Sequence, residues 1–168
     1  ADYTFLANDC YDPYYTGAGS QPRNFDQYMA MYRHGIVVKS VIKLQFFFES
    51  APTYSMRAGV LLRDSTTALG AASQADCAES PRSKSVIVSM VQGGPKHVKF
   101  VYTPKSFFGS QDVEDNDDLY FTSGASPSEK AAYHVFAHSY GGATQAVFMT
   151  GTIEYTAMLL HPILPSQS

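Results

Sequence analysis

Between Ile36 and Glu49 the chain repeats every two residues: Ile42, Leu44, Phe46 and Phe48 fall on one side, and Lys43, Gln45 and Glu49 on the other. A helix returns its apolar residues every three or four positions, so this stretch reads as a long strand with one buried and one wet face. The same period recurs from Gln145 to Leu160, where Val147, Met149, Ile153, Tyr155 and Leu159 share a side. It recurs again in His97 to Thr103, where Val98, Phe100 and Tyr102 alternate with His97 and Lys99. Shorter candidates are Tyr54 to Arg63, Val86 to Val91, Leu119 to Thr122 and Ala131 to His138. Seven or eight strands with connections of uneven length, and no alternation with helices, predict an all-β fold of two packed antiparallel sheets.

The connecting segments complete the plan. Residues 1–23 hold Asp12-Pro13 and Gly17-Ala18-Gly19 and read as an extended N-terminal arm. A short helix is predicted over 24–33. Asn24 can cap it, Gln27 can close a capping box, and Phe25, Tyr28, Met29 and Tyr32 follow helical spacing. The sandwich itself is assigned to 36–161, giving one domain over 1–168. Residues 64–85, rich in Ala, Ser and Asp, read as a surface excursion between strands with a turn of helix. Gly93-Gly94-Pro95 suggests that Val86 to Val91 and His97 to Thr103 form a hairpin, and Ser106 to Asp118 reads as a loop.

At 168 residues and 45% apolar content, the chain can build one core without metals or staples. Its longest apolar stretches are interrupted by Lys43, Gln45, Thr150, Thr152 and Glu154, and none reaches the ~20 residues that a helical membrane span needs. Cys10 and Cys77 allow one disulfide without requiring it, and buried thiols are the expectation for a protein made inside a cell.

The net charge of −3 conceals an uneven distribution. Residues 51–105 carry seven Lys/Arg against three acids, whereas residues 106–168 carry one against seven. A solvated surface and docking between copies through opposite patches both fit this pattern. Nothing is basic enough to grip nucleic acid unaided.

Ala137-His138-Ser139-Tyr140-Gly141-Gly142 superficially matches the nucleophile elbow of a serine hydrolase. That motif needs a strand-to-helix turn and then an Asp or Glu followed by a His. Beyond Ser139 the chain offers only Glu154, inside a predicted strand, and His161 near the end. A Gly-Gly turn between strands is the plainer reading, and no catalytic residue is assigned. The acidic run Asp112, Glu114, Asp115, Asp117 and Asp118 could donate oxygens to calcium at a subunit boundary, but it lacks the EF-hand spacing and turn glycine. His134 and His138 would share a strand face, yet zinc needs a third ligand, so two surface imidazoles are expected. No metal or cofactor is assigned.

Three blocks carry a resemblance. The first is Tyr11-Asp12-Pro13, Thr16 to Tyr28, Met31-Tyr32-Arg33 and Val37 to Ile42. The second runs from Phe107-Phe108-Gly109 through Asp118-Leu119 and Pro127 to Tyr133-His134-Val135. The third is Gly151-Thr152-Ile153-Glu154-Tyr155, His161-Pro162 and the terminal Ser166-Gln167-Ser168. Together they resemble the capsid proteins of small, circular, Rep-encoding single-stranded DNA viruses of the circovirus kind. Tyr28 stands where a tryptophan is expected, and Arg33-His34-Gly35 replaces a more aromatic stretch, which marks a divergent member.

The resemblance implies a single jelly-roll β-sandwich, a non-enzymatic coat subunit that assembles with identical copies into a small T=1 icosahedral shell around circular single-stranded DNA. Its location would be the virion, with the host nucleus during assembly. The host receptor is not legible. The arginine-rich N-terminal arm of such proteins is not among these residues, and the chain opens at Ala1 rather than Met, which leaves room for an upstream segment. Arg23, Arg33, Lys39 and Lys43 are the candidates for the DNA-facing side, with solubilising a strand face or pairing with acids on a neighbouring subunit as the equal alternative. Asp112, Glu114, Asp115, Asp117 and Asp118 are the candidates for subunit contact. A jelly-roll binding module, cytokine-like or carbohydrate-binding, is the second reading, and a serine hydrolase the third.

Overall fold

The computed structural model describes residues 3–18, 21–48, 54–70, 76–89, 94–109, 113–141 and 146–164. Among the described residues there are eight strands: β1 (Tyr3–Leu6), β2 (Tyr32–Phe47), β3 (Met56–Arg63), β4 (Ser83–Val88), β5 (Lys96–Tyr102), β6 (Tyr120–Phe121), β7 (Ala132–Ser139) and β8 (Phe148–Pro162). The first sheet has the order β1-β7-β3-β4; in the second, β2 pairs with β5 and β6 and also with β8. Every pairing is antiparallel. This is an all-β sandwich in which the chain repeatedly crosses between sheets, as a jelly roll does.

The core lies where the alternating rows meet. Ile42, Leu44 and Phe46 of β2 and Val98 and Tyr102 of β5 pack against Ala58, Val60 and Leu62 of β3 and Tyr133 and Val135 of β7. Polar groups also join the layers. Ser40 Oγ donates to the Ala7 carbonyl at 2.6 Å and lies 2.9 Å from Tyr133 Oη, and all three residues are fully buried. A buried hydroxyl left without a partner costs about 1–3 kcal/mol, so these bonds hold the facing sheets in one register.

Several expectations from the sequence are corrected. The arm contains a strand, because β1 pairs with β7 from Tyr3↔Val135 to Leu6↔Ala132. The helix is only α1 (Phe25–Met29), and Asn24 makes no side-chain cap because it adopts the left-handed conformation, φ 63°. With Tyr32 already in β2, there is no room for a helix extending to residue 33. The expected hairpin does not form. β4 pairs with β3 over six residue pairs and β5 with β2 over seven, so the two strands face each other across the core from opposite sheets. The segment expected as a loop begins with a second helix, α2 (Pro104–Phe108), capped by Thr103, whose side chain accepts from the Ser106 amide, and closed by Gly109 at φ 77°.

The 64–85 excursion does more than cross the surface. Leu69 and Cys77 pack on Leu61 and Phe136 in a small second cluster behind the first sheet. His134, expected at the surface, is fully buried beneath it. Its Nε2 lies 2.7 Å from the Ser65 carbonyl, which can only accept, so Nε2 carries the proton and Nδ1 accepts from Thr4 Oγ1 at 3.2 Å. Cys10 and Cys77 are buried in separate clusters, one on each side of the first sheet.

Candidate functional site: the outer face and open edge of the second sheet

The outer face of the second sheet depends on one irregularity. Val37 pairs with Ala157, but Lys39 pairs with Thr156, because β2 carries an extra residue at this point. The bulge changes which residues face the core. Before it, Gly35 and Val37 lie over Leu159 and Ala157 on the core side; after it, Ser40, Ile42, Leu44 and Phe46 do. Lys39, Val41, Lys43, Gln45 and Phe47 therefore turn outward.

Pairing builds a two-dimensional surface from this row. Lys43 stands between Lys99 of β5 and Thr152 of β8, and Gln45 stands between His97 and Thr150. Like charges directly opposite each other destabilise a sheet. The Lys43 ammonium is met by Glu154, one strand away, in the one salt bridge among the described residues. The hydrogen bond from Lys43, then its charge, and finally the charge of Lys99 hold the exposed Glu154 carboxyl below its ordinary value. A shallow concavity of about 500 Å³ opens over this array, lined by Lys43, Gln45, His97, Lys99, Thr150 and Thr152, with Leu44, Val98 and Gly151 also contributing. At one end of the same face the rings of Phe47 and Phe148, a cross-strand pair, stack at 6.0 Å with an interplanar angle of 24°.

The four basic candidates thus separate. Lys39 and Lys43 share this face. Arg33 has the parity of Gly35 and Val37, on the other side of the bulge, and Arg23 borders an apolar cavity of about 350 Å³ between α1 and β8 that also involves Cys10, Phe25, Tyr155 and Leu159. Lys99 and His97 were visible in the sequence as the polar half of an alternation. Only the pairing of β5 with β2 puts them beside Lys43.

Among the described residues β8 pairs with β2 alone, so its other edge is open over fifteen residues. Phe148 is 43% exposed at its start, and Leu164 is 84% exposed just past its end.

The acidic candidates lie on the loop before β6, and Asp112 falls outside the described residues. Glu114, Asp115, Asp117 and Asp118 are all exposed. Asp117 and Asp118 begin a 3₁₀ turn that Asn116 caps, and Asp118 Oδ1 accepts from Ser128 Oγ at 2.7 Å. Among the described residues no three His, Cys, Asp or Glu side chains are grouped as metal ligands would be. Two of the seven basic residues of the middle third are engaged locally: Arg82 lies 4.5 Å over the Phe107 ring, and Arg57 Nε donates to Tyr140 Oη at 2.8 Å. Ser139 closes β7 in an antiparallel sheet, opposite Met56, and its Oγ accepts from the Gly141 amide at 3.4 Å. That setting is unlike the strand-to-helix elbow of a hydrolase.

No protein-family profile and no curated protein matches the chain. Among solved structures, one from Desmodium yellow mottle tymovirus aligns with all of this chain and 90% of its own, at 13% identity and a TM-score of 0.49.

Proposed function

We propose that this chain is a viral coat subunit that assembles with identical copies into a small icosahedral shell around circular single-stranded DNA, without catalysis. The observation that carries the reading is the open edge of β8. Sheet edges in monomeric proteins are blunted by shortness, by lysines, by proline or by a covering loop. β8 is fifteen residues long, carries Glu154 as its one acid and no Lys or Arg, and meets proline only at Pro162. A two-sheet sandwich with such a rim is suited to closed symmetric assembly, where neighbours cover what a single subunit exposes. The three sequence blocks that resemble circovirus-like coat proteins support the same reading and supply the DNA genome.

Electron microscopy and size-exclusion chromatography of the purified chain test it. Closed shells are expected. A stable trimer would favour the binding-module reading, and a monomer labelled by a serine-directed fluorophosphonate would favour the hydrolase.

A further inference from the structure

We infer that the outer face of the second sheet is a seat for single-stranded nucleic acid, in which Lys39, Lys43 and Lys99 take the phosphates, the Phe47–Phe148 stack takes a base, and Glu154 is a built-in counter-ion that the strand displaces. The inference rests on the coat reading for the source of the polymer, and on this face alone for its chemistry.

Two independent features converge here. The first is electrostatic. Lys43 and Lys99 face each other directly across β2 and β5, with Lys39 four residues along the same row, and one acid, Glu154, pairs with Lys43 and feels the charge of Lys99. A sheet gains nothing from such an arrangement, because opposed like charges weaken pairing. It becomes favourable when a polyanion lies along the row and releases its condensed counter-ions. The concavity of about 500 Å³ over Lys43, Lys99 and Gly151 provides room for a phosphodiester, and Gln45, Thr150 and Thr152 offer it neutral donors.

The second feature is aromatic. Phe47 and Phe148 lie on the same outward row, beyond Gln45 and Thr150, already stacked on each other, and Phe148 remains 43% exposed. A basic track ending at an exposed aromatic platform is the combination that binds single strands without sequence preference. A sulfated polysaccharide would use the lysines, but its pyranose rings offer only C–H faces and no aromatic π-surface to stack on the phenyl rings.

Glu154 then acts as a gate on affinity. While it holds Lys43, that ammonium is already partly neutralised, so an arriving phosphate must exchange with a carboxylate rather than with water.

The test is fluorescence anisotropy with a labelled twenty-nucleotide oligothymidylate and an abasic oligomer of equal length, over a salt series, on variants whose fold is checked by circular dichroism. Lys43→Ala and Lys99→Ala should each lower the salt slope by about 0.7, the value for one phosphate contact on a single strand. Phe148→Ala should weaken oligothymidylate binding roughly ten-fold and leave the abasic oligomer unchanged. Glu154→Gln should tighten both by roughly two- to five-fold, the scale of one exposed ion pair. Equal loss on both oligomers with Phe148→Ala, weaker binding with Glu154→Gln, or tighter binding of a heparin oligosaccharide of matched charge would each overturn the inference. Shells whose DNA affinity ignores all four substitutions would remove this seat and leave the coat reading intact. The predicted variant pattern in a chain that forms no shell would do the reverse.

Discussion

The phenol of Tyr155, on β8 in the second sheet, donates to the main-chain carbonyl of Leu6, on β1 in the first, at 2.6 Å. This bond ties the two sheets together where α1, the arm and the open edge of β8 converge. Tyr155→Phe keeps the ring but leaves the Leu6 carbonyl without this donor, so unfolding free energy should fall by about 1–2 kcal/mol. Chemical denaturation at neutral pH measures it; an unchanged midpoint would show that the bond does not matter to stability.

The alkaline limb of stability should be steep. Burial, then the neighbouring Asp9 charge, pushes the Cys10 thiol from its ordinary 9.0 up to about 12. Burial likewise raises the Tyr133 phenol to about 12, against its hydrogen bond with Ser40. Both groups hold their protons longer when folded than when unfolded, so the folded state binds more protons and stability falls as pH rises. The loss should begin near pH 9, where unfolded Cys10 ionises, continue through pH 10 with the tyrosine, and amount to a few kcal/mol by pH 12. Cys10→Ala should flatten the part of the curve just above pH 9.

Gly35 is held by a ring. A Cβ there would run into the side chain of Phe121, its register partner on β6, and Phe121 is 1% exposed with nowhere to retreat. Gly35→Ala should therefore destabilise by about 1–3 kcal/mol despite its better strand propensity. The double variant Gly35→Ala with Phe121→Leu should recover part of that loss, and no recovery would place the strain elsewhere.

Reversing Asp115 and Asp117 to lysine addresses the acidic loop. Both are exposed and neither forms a salt bridge among the described residues, so the subunit should melt unchanged while particle yield drops several-fold, if opposite charge brings copies together. Wild-type yield would remove the loop from the contact and leave the coat reading standing.

The alternation in Ile42, Leu44, Phe46 and Phe48, and in Ile153, Tyr155 and Leu159, was enough to establish strands and a two-sheet sandwich. Each of these is a property of one short stretch of chain and of which of its sides avoids water. Thr103-Pro104 and Gly109 also spelled out a helix that the loop reading passed over, since the cap and the stop flank only five residues.

What the tertiary structure alone decided is partnership. β2 and β8 lie more than a hundred residues apart in the chain, and β4 and β5, neighbours in sequence, went to opposite sheets because each found a longer antiparallel partner than the other. The bulge between Val37 and Lys39 moved the lysines to the outer face, and nothing in the run Ile36-Val37-Val38 signals where an extra residue will be absorbed. His134 was buried by a segment that includes Ser65, 69 residues upstream, for the same reason. Alternation tells each strand which side is dry, whereas the identity of its neighbour, and so the chemistry that gathers on its wet side, is settled by contacts between residues that the chain itself keeps far apart.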